Sequence, residues 1–499
     1  MDQDEQRLDG SAAPQARRAA ALRAGLLRHW LIITLLVAGT VLRVLAWVAY
    51  QPALLFGDSF RYLDYVGEYP PNGLHPIGYS LFVLGPVLAV GGLELVTAIQ
   101  HVAVLAAAVA SYALALRLGV RRWLAALAAA PLLLDAYELQ IEQMIMADAW
   151  QQVLLVALLW VLIGRGAPSP RRAALGGLLL GVALVFKLIV GALVIPALCY
   201  LVIAGGAWRA WRENWRIIAA RSLAFLAGFA VVVVSYGAYF TVSTGQVGLS
   251  HTTGNVLYGR AAVVADCDTL ELSPLLRNAC PKEPRSQRHP DRYAHRGADA
   301  KWRDSFPPGT DIREVQRSFA WAVVRQQPLN VLGGITEDFL KGFRPVREDA
   351  PGDVTVLRWH FTEGYQYYNH PQTSTEYTER FSGRAPSDVP SLGLFLRTYQ
   401  LSVGYTPGTL LGIFGIVALL AGFGLGRARR SGIRSAALLT AGMALTILLA
   451  SAAFEFSWRY QLPGLVLLPL AGVLGLTALL ERRRAHLTQP AGSRSGRSR

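Results

Sequence analysis

Charged residues are scarce in this chain. They make up 16% of its 499 residues, against about 25% in soluble domains. Hydrophobic residues make up 53%, and apolar stretches of roughly 20 residues recur along the sequence, so it reads as a polytopic membrane protein. Cysteine is scarce too: three residues are too few for a disulfide scaffold or a structural zinc site. Residues 1–28 lack the short apolar core and small-residue cleavage site of a signal peptide, and read as a polar, disordered cytoplasmic leader. No Walker A pattern is present, so ATP-driven transport has no support. No internal repeat of the kind found in solenoids and many transporters is visible. The net charge is +15, yet no basic patch interleaved with aromatics sits in a folded unit, and nucleic acid is not an expected partner.

What is abundant is apolar sequence in span-length pieces. Hydropathy places spans near 29–50, 94–117, 122–136, 148–164, 173–187, 188–205, 220–243, 407–426, 434–452 and 459–480. The arginines then fix the sidedness. If the apolar segment 76–93 does not cross, the clusters at Arg117/Arg121/Arg122, Arg165/Arg171/Arg172, Arg209/Arg212/Arg216/Arg221, Arg427/Arg429/Arg430/Arg434 and Arg482/Arg483/Arg484 all fall on one face. The short opposite loops 137–147 and 454–458 hold no Lys or Arg. The positive-inside rule therefore makes the arginine-rich face cytoplasmic, with both termini, and makes 76–93 a surface-lying or re-entrant segment.

The expected fold is an all-α polytopic membrane protein of about ten transmembrane helices, with a large external domain of mixed or irregular structure. Its units are the leader 1–28; an N-terminal membrane module 29–245 with outer loops 51–93 and 137–147; an external domain 246–405; C-terminal spans 406–480; and a basic cytoplasmic tail 481–499. Inside the external block, Ile312, Val315, Phe319 and Val323 share the spacing of one amphipathic helix over 311–326. Most of the rest reads as irregular loop. Cys267 and Cys280 both lie there, outside a reducing compartment; they form either a disulfide or two separate thiols. Cys199 falls within a span and reads as packing.

A few polar residues stand out at the outer leaflet. "GDSFRYLDYV" carries Asp58, with Arg61 and Tyr62 three and four residues on, hence on one helical face. Asp58 as a simple helix cap is the plainer reading. The second outer loop brings Glu138, Glu142 and Asp148 and no base. Arg43, Lys187 and Arg459 are cations where a bilayer penalises them by roughly 2.5–3.5 kcal/mol each, so each should find an anion. Snorkelling for Arg43 and Lys187, an ion pair of Arg459 with Glu455, and a turn role for His75 before Pro76 are the competing accounts. Acids and cations gathered on one leaflet suit a donor with an apolar tail and a phosphate head. Cations would hold its phosphate, and a carboxylate would take the proton of an acceptor hydroxyl. One base and a phosphate clamp imply a single displacement with inversion at the sugar carbon.

"GDSFRYLDYV", "HPIGYSLF", "EQMIMADAW" and "WRYQLPGLVLLPLAGV" resemble the GT-C superfamily of polyprenyl-phosphate-sugar-dependent glycosyltransferases, in particular its bacterial aminoarabinose and protein mannosyl transferase branch. The resemblance spans roughly 29–245 and 405–480. It implies juxtamembrane helices in the first outer loop, and a plasma (inner) membrane enzyme with an external active site. Asp58 would be the base-like carboxylate, with Glu142 and Asp148 as the second acidic cluster. By the resemblance Arg61 and Lys187 would face the donor phosphate; the residues themselves add Arg43 and Arg459 as further phosphate-binding candidates, and His75 and Tyr62 as other pocket residues. Its partners would be a polyprenyl-phosphate-linked sugar, a lipid, glycan or protein acceptor, and membrane lipids. The "DE" pair of eukaryotic protein mannosyltransferases is "DS" here, at Asp58–Ser59, which points away from a mannoprotein product. Many such enzymes need no metal; Asp58, Glu142 and Asp148 would bind Mg²⁺ or Mn²⁺ if they converged. The rival classes are a lipid or sugar transporter and a non-catalytic envelope assembly protein.

Overall fold

The computed structural model describes residues 25, 27–67, 75–164, 166–250, 253–368 and 370–480. Nearly all of the leader, residues 68–74 of the first outer loop and the tail 481–499 lie outside the described residues. The described chain is helical, with one two-stranded ladder pairing Tyr50–Gln51 with Ser387–Asp388.

Six helices are long and apolar enough to cross a bilayer: Trp30–Ala49, Leu93–Arg117, Leu188–Gly206, Trp211–Thr244, Arg434–Ala452 and Trp458–Leu480. The protein is membrane-embedded. Arg122–Leu134 and Ala136–Gln143 form a further pair, bent by 49°. The stretches expected to span at 148–164, 173–187 and 407–426 are helices of 15, 17 and 15 residues, or about 22–26 Å at 1.5 Å per residue, short of a ~30 Å hydrocarbon core. By length alone the count is thus six or seven rather than ten. In the segment 76–93, Ser80–Leu84 and Gly85–Leu88 make a helix too short to cross.

Small residues set how closely the helices approach. Gly177 on Pro170–Phe186 faces the Phe225 carbonyl, and Gly228 on Trp211–Thr244 faces the Ala174 carbonyl. A methyl at either position would collide with backbone, so these two helices pack at a separation only glycine permits. Leu462–Leu480 is buried along most of its length and forms the axis of the bundle.

The block 246–405 is not the irregular domain expected. Thr253–Val264, Ile312–Gln326 and Pro328–Lys341 pack around Tyr258, Tyr293, Trp302 and Phe319. Ile312–Gln326 starts where expected, with the Asp311 carboxylate accepting from the Arg313 and Glu314 N–H groups. The other helices are mostly one to three turns long and begin at Pro or at Ser, Asp or Thr caps. Pieces that short show too little periodicity to stand out from loop. Cys267 and Cys280 are joined in a disulfide, and Cys199 is exposed on the outside of the bundle rather than packed. The later part of the block lies on the membrane module: Tyr365 donates to the Ala53 carbonyl at 2.6 Å, and Arg347 pairs with Asp135 at 2.9 Å.

Candidate functional site

Phe56 precedes the short helix Gly57–Asp64, and its N–H donates to Ser59 Oγ at 2.9 Å. Serine therefore does the capping, and the neighbouring Asp58 is free for other work. Asp148 opens the helix Asp148–Leu162 without serving as its cap. Lys187 terminates Pro170–Phe186 in an extended conformation. Gly78 brings the His75 segment against this point: a Cβ there would sit 2.5 Å from the Val185 carbonyl oxygen. Arg459 comes from the turn Trp458–Gln461 at the start of the last span.

These four stretches converge on Arg459. Its Nη1 donates to Asp58 Oδ2 at 2.7 Å, while its Nε and Nη2 donate to the two oxygens of Asp148 at 3.1 and 2.9 Å. Lys187 Nζ donates to Asp148 Oδ1 at 2.5 Å. His75 Nε2 lies 3.2 Å from Asp58 Oδ1, and Arg61 makes a longer contact of 3.4 Å to the same oxygen. Tyr62 packs against the His75 ring at 5.0 Å. Trp359 and Tyr460 face the Arg459 guanidinium at 5.7 and 5.9 Å. Arg459 is buried, whereas the Arg61 side chain is 40% exposed and Lys187 14%. Burial pushes the Asp58 carboxyl up, but His75 and Arg459 outweigh it and hold the group well below the usual carboxylate range. It is an anion at any ordinary pH.

Glu142 and Arg43 are elsewhere. Arg43 is buried and grips both oxygens of Glu142, at 2.8 and 2.5 Å. Its remaining donors go to the carbonyls of Gly39, Leu132 and Leu133. The last two were released by the break in the bent pair at Asp135. His101 Nδ1 completes the cluster, 2.8 Å from Glu142 Oε2. Glu138 accepts from the Gln152 side-chain amide through both oxygens. Glu142 is fully buried, so neither substrate nor solvent reaches it, and Arg43 is neither snorkelling nor free to grip a ligand. A chain of contacts joins the two clusters: Tyr62 meets Tyr79 edge-on at 5.1 Å, Tyr79 donates to Gln100, and Gln100 donates to the Glu142 carbonyl. Because Glu142 belongs to this second cluster, the three acids do not meet. Among the described residues no group of three or more His, Cys, Asp or Glu could hold a metal ion.

Sequence reasoning missed His101 and Gln100, although a polar pair inside an apolar span is itself a signal. It also missed Trp359 and Tyr460, which nothing local distinguishes. Chemically, the Arg459 cluster offers three cations, Arg61, Lys187 and Arg459, against two carboxylates. That leaves one positive charge, or two when His75 is protonated, on the partly open side where Arg61 and Lys187 reach solvent. Such a site accepts an anion. No family model matches this chain, and it has no significant match among curated proteins or solved structures.

Proposed function

We propose that the chain is an integral-membrane glycosyltransferase of the GT-C kind. It moves a sugar from a polyprenyl-phosphate donor to an acceptor hydroxyl on the external face of the plasma (inner) membrane, with inversion. The observation that carries this reading is the Asp58–Arg61–Asp148–Lys187–Arg459 cluster, net positive by one charge and held where the apolar bundle meets an external helical layer. In the full proposal the four shorter apolar helices complete a ten-span arrangement with both termini cytoplasmic.

The donor phosphate takes up the surplus charge through Arg61, Lys187 and Arg459. As it draws on Arg459, Asp58 loses part of what depresses its basicity. The acceptor oxygen forms a bond to the anomeric carbon, and its proton passes to Asp58. The bond from that carbon to the phosphate oxygen breaks, and its electron pair leaves with the polyprenyl phosphate, whose added charge the same cations stabilise. Asp148 holds Arg459 and Lys187 in place and does not itself react. Glu142 and Arg43 maintain the bent helix.

Incorporation of labelled sugar from polyprenyl-phosphate donors by the purified protein tests this. Loss of transfer in Asp58→Asn with normal expression supports it.

A further inference from the structure

The helix Trp30–Ala49 ends a few residues before Asp58. At its other end, about 30 Å away by helix length, lies a cleft of about 370 Å³ lined in part by Arg28, Trp30, Tyr112, Arg121, Arg122 and Trp123. Among the described residues no Asp or Glu lines it. Two helices, Trp30–Ala49 and Arg122–Leu134, begin here, and neither has a side-chain cap on its first N–H groups. The inner wall is fixed: His29 Nδ1 and the Tyr112 hydroxyl are 2.6 Å apart, with their rings edge-on. The outer wall is open, with Trp30 61% and Trp123 51% exposed.

We propose that this cleft binds the phosphate of an anionic lipid headgroup. Three arginines, with no acid among the described lining residues, supply the charge, and the uncapped start of Arg122–Leu134 adds donors of the same sign. The volume falls in the range of small-molecule sites. The lipid source follows from the tryptophans. Large exposed indoles at the start of apolar helices sit at the headgroup level of a bilayer, so a ligand between them has its tail in the membrane. The sugar-transfer reading plays no part in this argument.

The test is titration of the full-length chain, in neutral detergent, with phosphatidylglycerol and with phosphatidylcholine, read by native mass spectrometry. The expected result is preferential binding of phosphatidylglycerol, weakened about tenfold or more in R28Q/R121Q/R122Q. The control variant R427Q/R429Q/R430Q loses the same charge in the loop after Gly408–Gly422 and should stay within about twofold of the unaltered chain. The single variant R121Q, on an exposed side chain, should give an intermediate loss and guards against misfolding of the triple. Equal affinity for the two lipids, or equal losses in both triple variants, overturns the proposal. So does displacement of phosphatidylglycerol by millimolar inorganic phosphate, which would assign the cleft to a free phosphate.

Discussion

Replacing Arg43 by methionine removes five hydrogen-bond donors at once, since each N–H of the guanidinium is in use: two on Glu142 and three on the carbonyls of Gly39, Leu132 and Leu133. The methionine fills similar volume, so packing changes little. What remains is a fully buried Glu142 carboxylate with the His101 ring beside it, and two bare carbonyls at the helix break. Removing one partner of a buried pair costs about 3–5 kcal/mol. Reversible unfolding in mixed detergent–SDS micelles measures this. Arg43→Met should lose that much stability, and the double variant with Glu142→Leu should recover a good part, because no charge is then left unpaired. Glu142→Gln should destabilise while leaving transfer per folded molecule near normal. A cost below about 1 kcal/mol for Arg43→Met would show the cluster to be dispensable. Loss of transfer in a fully stable Glu142→Gln would return Glu142 to the chemistry.

Gly78→Ala should push the His75 segment off the Val185 carbonyl, and donor KM should rise several-fold while Lys187 and Asp148 stay paired; an unchanged KM would detach Gly78 from the site. Burial, aided by Asp291, pushes the Glu455 carboxyl up to about 8. A raised folded-state value means that the stability it contributes is fully present below the unfolded value near 4.5 and is lost as pH rises through 8. The protein should therefore lose on the order of 4 kcal/mol between pH 5 and 8 from this group. Glu455→Gln should flatten that slope, and an unaltered slope would put Glu455 in contact with water.

The sequence made the members of the site visible and hid their partners. Asp58, Asp148, Lys187 and Arg459 are conspicuous because each interrupts apolar sequence at a bilayer surface. Their pairing spans up to 401 positions of chain, and no local pattern encodes that. The nearer partner, Glu455, is within one helical turn of Arg459 in sequence, yet it accepts from Tyr460 instead. Glu142 and Asp148 look like one acidic group because six residues separate them. The backbone leaves the helix at Met144 and re-enters one at Asp148, which sends the two carboxylates to different clusters. Loop charge predicts that 76–93 does not cross, and its described helix, Ser80–Leu84 with Gly85–Leu88, is too short to span by length. Apart from Ile312–Gln326, the helices of the block 246–405 were not legible, because their short apolar faces are closed by aromatics distant in sequence, such as Tyr258 on Trp302.

The central claim concerns one carboxylate. Purified protein should transfer labelled sugar from a polyprenyl-phosphate donor, and Asp58→Asn should slow turnover by about 100-fold or more, the scale of a lost general base, with the fold and donor binding retained. Turnover unchanged in Asp58→Asn would contradict the account.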